Sequence, residues 1–167
     1  MPEAIQIEER TGFGLATVMA RKGVAAEAVA RALGVPPPVG AGWTSTGDLA
    51  LIATGPGTWL ALSAGGPETH AARLLEALGP MASVVDQSGG YVIHKLSGPG
   101  ARTVLQRGAA IDLHPQAFGP RSAAVTVISH IGVVLRQLDE TPAYEVAVFR
   151  SYAASFRRWL DAAIAAL

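Results

Sequence analysis

The stretch 86–113, DQSGGYVIHKLSGPGARTVLQRGAAIDL, most constrains how this chain of 167 residues can fold. It begins as a turn and continues as an apolar strand over residues 91–96. A Gly-Pro-Gly sequence beginning at Gly98 then opens a short helix, and Gly108 ends that helix. The stretch therefore predicts a strand that passes directly into a helix, which is typical of mixed α and β architecture.

The same kinds of signal predict a similar order of elements on both sides of this stretch. Hydrophobic periodicity and Gly or Pro breaks give the order β-α-β-β-α-β, followed by β-α-β-β-β-α. Strands are predicted over residues 15–20, 49–54, 58–63, 84–86, 91–96, 124–129, 132–138 and 144–149, and helices over 24–33, 67–78, 98–107 and 151–167. The Gly-rich segment 39–47 is predicted to be a loop.

This order predicts an α+β fold made of two tandem α+β half-domains with mainly antiparallel sheets. The N-terminal half is predicted to span residues 1–86 and the C-terminal half residues 87–167, together forming one compact unit. The last helix has the clearest apolar stripe. Its members lie three or four residues apart: Tyr152, Phe156, Trp159, Leu160, Ala163, Ile164 and Leu167.

Composition excludes several classes of function. The chain has no Cys, which excludes disulfides, thiolate catalysis and Cys-based metal sites. Its net charge is zero and no basic stripe is present, so nucleic acid is not an expected partner. The polar, acidic N-terminus does not resemble a signal peptide, and no apolar run reaches the roughly 18 residues of a membrane span. A cytoplasmic protein without membrane contact is the expectation.

The apolar content of 50% and charged content of 16% argue against disorder. Two interpretations remain open. Some apolar surface contacts a partner, or the chain is simply rich in Ala and Gly.

Candidate catalytic residues are sparse. The four histidines have no metal-ligand spacing, so no metal site is expected. Asp86 and Asp112 lie at ends of elements, where Asp commonly hydrogen-bonds local backbone amides. A hydrogen-bonded structural histidine is the favoured interpretation of His94. Ser88 lacks the GxSxG context of a nucleophile elbow. A small enzyme that uses Asp86, His94 or Asp112 is the least favoured of three hypotheses.

Candidate binding residues have structural interpretations that are at least as good. The Gly-Pro-Gly sequence at Gly98 fits a tight turn better than an anion site, because Pro99 removes one backbone amide. Arg150 suits an ion pair at an interface better than a carboxylate or phosphate ligand. Trp43, Trp59 and Trp159 belong to the core or to a subunit contact.

Several short motifs in a fixed order resemble those of the sarcosine oxidase gamma subunit family of heterotetrameric sarcosine oxidases. This family is related to the folate-binding aminomethyltransferase (glycine cleavage T-protein-like) fold. The similar segments are GPGTWL (55–60), DQS (86–88), LSGPGA (96–101), IDL (111–113) and RSYA with WL (150–153 and 159–160). Each motif is weak alone, and their order and spacing make the match specific.

The resemblance implies a complex that oxidises sarcosine to glycine, releases H2O2 and passes the one-carbon unit to tetrahydrofolate. It implies alpha, beta and delta subunits as partners. FAD, FMN, NAD, tetrahydrofolate and zinc are expected in those other subunits, and no cofactor is expected on this chain. Catalytic relatives of the fold carry an Asp in the hairpin after the second helix. Here the corresponding run is Gly132-Val133-Val134-Leu135-Arg136, which has no carboxylate.

The first hypothesis is therefore a non-catalytic gamma-type subunit, with no catalytic, cofactor-binding or metal residues of its own, that serves assembly or stability of the oxidase. The alternative is a stand-alone folate-binding module. In that case Trp43, Trp59 or Arg150 would hold a pteridine or a glutamyl carboxylate. Whether the complex acts on sarcosine or on another N-methyl amine is left open by the sequence.

Overall fold

The computed structural model describes residues 4–167 as two compact units, each built on a five-stranded antiparallel sheet. One unit is Thr11–Gly89. The other combines the described residues up to Arg10 with Gly90–Leu167. The predicted α+β class with mainly antiparallel sheets is confirmed. The division into residues 1–86 and 87–167 stays a prediction.

The unit Thr11–Gly89 has the strand order β3-β4-β5-β2-β6 and two helices. Its strands are β2 (Gly14–Ala20), β3 (Trp43–Thr46), β4 (Leu49–Gly55), β5 (Thr58–Ser63) and β6 (Ala82–Asp86), and its helices are α1 (Ala26–Leu33) and α2 (His70–Leu78). Val29 of α1 and Leu74 and Leu78 of α2 form one cluster with Val18 and Trp59 of the sheet. The helices bury one face of the sheet because these apolar residues recur with helical and strand spacing.

The other unit has the strand order β1-β7-β10-β9-β8 and also two helices. Its strands are β1 (Gln6–Arg10), β7 (Tyr91–Ser97), β8 (Ala123–Ile128), β9 (Ile131–Asp139) and β10 (Ala143–Phe149), and its helices are α3 (Ala101–Gln106) and α4 (Ala153–Ala165). Leu105 of α3 and Phe156 and Leu160 of α4 are fully buried against Leu96 and Val146 of the sheet.

Helix α4 follows a single 3-10 turn at Arg150–Tyr152. The predicted stripe is confirmed in its centre, where Phe156, Leu160 and Ala163 are buried. The prediction is wrong at the two ends of the stripe, since Tyr152 and Leu167 are exposed. Tyr152 lies in the 3-10 turn and Leu167 beyond the helix, so neither continues the helical face. None of the helices among residues 4–167 is long and apolar enough to cross a membrane.

Two strands were not predicted from the sequence. Strand β1 has mostly polar side chains, and it pairs with β7 at the sheet edge. Strand β3 lies within the segment 39–47, so the prediction of a loop is wrong for residues 43–46. Its sequence WTST has high strand propensity, but only Trp43 is buried, and a half-polar edge strand of four residues gives no clear alternation.

The turn between β7 and α3 explains the glycine at position 98. Gly98 has φ of +110°, and a Cβ there would collide with the backbone carbonyl of Ala4. Any other residue would be strained in this conformation and would displace the neighbouring chain. Helix α3 consequently begins at Ala101, later than predicted, with Gly100 as its N-cap.

Candidate functional site

The two aspartates at ends of elements both hold turns. Asp86 Oδ1 accepts a hydrogen bond from the Ser88 backbone N–H at 2.9 Å, and Asp112 Oδ1 accepts one from the His114 backbone N–H at 2.8 Å. The backbone and side-chain hydrogen bonds from Ser88 lower the pKa of Asp86. Both carboxylates therefore have the turn-forming role that their positions predict.

Ser88 connects this turn to strand β2. Its Oγ accepts a hydrogen bond from the Leu15 backbone N–H at 3.0 Å and donates to the Leu15 carbonyl at 3.2 Å. Because both of these bonds involve the backbone of Leu15, the hydroxyl connects the turn after β6 to strand β2.

His94 is buried on β7, with 2% of its surface exposed, and it stacks on Phe156 of α4 with ring centroids 5.6 Å apart. The prediction that His94 is hydrogen-bonded is wrong. Neither ring nitrogen has a hydrogen-bond partner within residues 4–167. Burial lowers the pKa of His94, and the charge of Glu9, its cross-strand neighbour, opposes this shift. The neutral imidazole is therefore the favoured form at neutral pH.

The remaining histidines are structural or exposed. His70 is buried, and its Nε2 lies 2.8 Å from the Ala61 carbonyl oxygen. His114 and His130 are exposed. Within the described part of the chain, no group of three or more His, Asp or Glu side chains could hold a metal ion.

A buried charged cluster is present that the sequence did not reveal. Glu145 of β10 lies between Arg136 of β9 and Arg10 of β1. Arg136 donates to Glu145 Oε2 from Nε at 2.8 Å and also from Nη2, and Arg10 Nη1 donates to Oε1 at 2.8 Å. Burial lowers the pKa of Arg136, and Glu145 opposes that shift. Two cations thus neutralise the carboxylate, which argues against its use as a general base.

The sequence signal for this cluster was one charged residue in each of two apolar strands. Arg136 and Glu145 are directly opposite each other in the β9–β10 register. Opposite charges at a cross-strand pair stabilise a sheet. The sequence alone could not supply the register that brings the two residues together, and Arg10 lies in a strand that was not predicted.

The two candidate tryptophans lie in the same sheet on opposite faces. Trp43 is paired with Ile52 and Trp59 with Ala53, and side chains of adjacent residues in a strand point to opposite sides. Both rings are buried, at 8% and 4% exposure. The two rings therefore do not face each other and do not form the two walls of a slot for a planar ring.

The third candidate, Arg150, belongs to the other unit and is exposed. Its Nη2 donates to the Tyr91 carbonyl at 3.3 Å, next to the Tyr91–Phe149 ring pair, whose centroids are 4.7 Å apart. Phe149 and Tyr152 on either side are about half exposed. The ligand-binding role of Trp43, Trp59 and Arg150 stays a prediction.

Comparison with known proteins gives consistent matches in sequence and fold. A model of the "Sarcosine oxidase, gamma subunit family" matches residues 18–166. Sarcosine oxidase subunit gamma of Corynebacterium sp. (strain P-1) is 36% identical over 140 residues, which are 83% of this chain and 68% of the relative. A chain in the structure of heterotetrameric sarcosine oxidase from Corynebacterium sp. U-96 in complex with pyrrole 2-carboxylate is similar with a TM-score of 0.88 and 25% identity, over 99% of this chain and 86% of that one.

The fold is shared more widely. Glycine cleavage system aminomethyltransferase T from Bartonella henselae matches with a TM-score of 0.67 and 16% identity, over 93% of this chain and 45% of the neighbour. The aminomethyltransferase-like fold implied by the short motifs is therefore confirmed. The order of those motifs, the two α+β units and the match over residues 18–166 agree, and the chain belongs to the sarcosine oxidase gamma subunit family.

Proposed function

We propose that this chain is the non-catalytic gamma-type subunit of a heterotetrameric sarcosine oxidase and serves the assembly or stability of that complex. The observation that carries the proposal is the structural match with a TM-score of 0.88 over 99% of the chain. The family match over residues 18–166 supports it independently, from sequence.

The use of the acidic side chains supports the non-catalytic part of the proposal. A general base must be free to accept a proton from a bound substrate. Asp86 and Asp112 hold turns, Glu145 is neutralised by two arginines, and His94 is buried against Phe156. The candidate residues named from the sequence, Asp86, Asp112 and His94, and the buried Glu145 thus all have contacts that suit structural roles.

The β9 strand gives further support. The run that corresponds to the acidic hairpin of catalytic relatives is built into β9, where Val133 and Leu135 are buried. Arg136 at its end is paired with Glu145. The segment consequently serves packing and charge neutralisation within the sheet.

The proposed setting is a complex with alpha, beta and delta subunits in the cytoplasm. FAD, FMN, NAD, tetrahydrofolate and zinc would be bound by those subunits, and sarcosine would be oxidised there. This chain would contribute a surface that contacts the other subunits. The half-exposed aromatic residues Phe149 and Tyr152 are suited to such a contact, because aromatic side chains are enriched at protein interfaces.

The non-catalytic role predicts that turn and core variants leave the chemistry intact. We expect complexes assembled with Asp86→Asn, Asp112→Asn or His94→Phe to oxidise sarcosine at a rate within about two-fold of the parent complex, because none of these groups would touch substrate. Rates of H2O2 release at saturating sarcosine measure this, with subunit ratios checked by gel filtration. A fall of roughly 100-fold or more in a fully assembled complex would place a catalytic group on this chain.

A further inference from the structure

A groove beside helix α3 has features that neither the family match nor the proposed function explains. It is open to solvent and has a volume of about 580 Å³, and it is lined by Arg102, Thr103, Gln106, Arg107, Asp112, His114 and Pro115. That volume is within the range of small-molecule sites. We call it the α3 groove.

One wall of the α3 groove is fixed by a single side chain. Gln106 Nε2 donates to the Ile111 carbonyl at 2.9 Å, and Gln106 Oε1 accepts from the Leu113 backbone N–H at 2.7 Å. Asp112 Oδ1 also holds the next backbone turn, at His114. The segment 111–114 is thereby attached to α3, so the groove is formed before any ligand binds, which lowers the entropic cost of binding.

Arg107 is one of the residues that line the α3 groove. Its Nη1 donates to the Ala163 backbone carbonyl of α4 at 2.9 Å. This bond holds the group in place and leaves the edge formed by Nε and Nη2 without another partner in the described chain. Two parallel N–H donors on such an edge fit both oxygens of a carboxylate or phosphate.

The Arg102 guanidinium is held through its Nε, whereas that of Arg107 is held through a terminal nitrogen. Arg102 Nε donates to the Tyr144 hydroxyl at 2.9 Å. Burial raises the pKa of Tyr144, so the phenol stays neutral and does not cancel the positive charge of Arg102. The two terminal nitrogens of Arg102 have no other partner among residues 4–167.

The charge of the α3 groove is therefore incompletely balanced. Both arginines are held by neutral oxygens, and neither belongs to any of the ion pairs found within the described residues. Asp112 is the single carboxylate among the lining residues, against two guanidinium groups.

We propose that the α3 groove binds a small oxyanion, a carboxylate or a phosphate, with Arg107 as its ligand and Arg102 adding positive charge to the same groove. The Thr103 hydroxyl, which also lines the groove, can donate to the same anion. This binding site is independent of the role proposed for the chain in the oxidase, and it requires no residue of another subunit.

The test is titration of the full-length chain with inorganic phosphate and, separately, with succinate, at constant ionic strength. The guanidinium N–H resonances of Arg102 and Arg107 report contact, and calorimetry reports affinity. We expect saturable binding of at least one probe, with the difference between the two probes distinguishing phosphate from carboxylate ligands. Arg107→Gln should weaken binding at least ten-fold, whereas Arg73→Gln on the exposed side of α2 removes the same charge and should leave binding unchanged.

Folding of Arg107→Gln is checked by thermal unfolding, and Arg107→Lys provides a second variant that keeps the charge but loses the two-donor edge. It should also bind more weakly than the parent chain. The proposal is overturned if neither probe saturates, or if Arg73→Gln weakens binding as much as Arg107→Gln. It is also overturned if no small anion binds while Arg107→Glu blocks assembly with partner subunits, since the groove would then hold an acidic protein segment.

Discussion

Replacing Glu145 with Gln is expected to lower the free energy of unfolding by about 3–5 kcal/mol, which is the usual cost of removing one partner from a buried ion pair. The side chains of Arg136 and Glu145 are each only 7% exposed. Gln keeps the volume but removes the charge, so the Arg136 cation stays buried without its carboxylate. Urea unfolding, followed by tryptophan fluorescence, measures this, and the melting temperature should fall by roughly 10 °C.

The exposed ion pair of α4 provides the matched control. Arg157 Nε donates to Asp161 Oδ1 at 2.8 Å, but the two side chains are 48% and 55% exposed. Asp161→Asn should therefore cost no more than about 0.5 kcal/mol. Glu145→Leu combined with Arg136→Met should recover much of the loss, because an apolar pair removes the buried charge. Equal effects of Glu145→Gln and Asp161→Asn would show that burial of the cluster does not matter.

Stability is expected to fall below pH 6.5 because of His94. In the unfolded chain its pKa is near the ordinary value of 6.5, and in the folded chain burial lowers it. Below pH 6.5 the unfolded state consequently binds more protons than the folded state, which favours unfolding. The contribution of His94 is complete above this pH and is lost as the pH falls, by at most about 1.4 kcal/mol for each pH unit.

His94→Phe should remove this pH dependence. Phenylalanine can keep the ring contact with Phe156, and it removes two buried nitrogens that have no partner among the described residues. We expect the variant to be at least as stable as the parent chain at pH 7.5 and to be less sensitive to pH between 5 and 6.5. His114→Gln, at an exposed position, should keep the parent profile. An unchanged profile in His94→Phe would assign the dependence to another group.

The sequence predicted those elements in which local signals and packing agree. Helix α4 was identified from its apolar spacing, and Phe156, Leu160 and Ala163 are indeed buried. The strands β5 and β7 were identified because apolar residues dominate both of them. The edge strands β1 and β3 were missed, because only part of an edge strand is covered by neighbours and its side chains can stay polar.

The buried ion-pair cluster and the α3 groove could not be predicted from the sequence. The Arg10–Glu145–Arg136 cluster joins three strands, and its formation depends on the register of three pairings: β9 with β10, β10 with β7, and β7 with β1. The wall of the α3 groove depends on Gln106, whose side chain reaches segment 111–113. Neither arrangement follows from local periodicity. The turn roles of Asp86 and Asp112 could be predicted because an Asp turn needs only two following residues.

The measurement that tests the central proposal most directly is a native pull-down of the tagged chain from its own host, with subunit masses and visible absorbance recorded together. The proposal predicts that larger subunits co-purify in fixed ratio and carry the yellow spectrum of a flavin. A matched variant with Phe149→Ser and Tyr152→Ser, both at exposed positions, tests whether the aromatic surface contributes to that capture. A colourless protein recovered alone, from cells that express an active sarcosine oxidase, would contradict the assignment as a subunit.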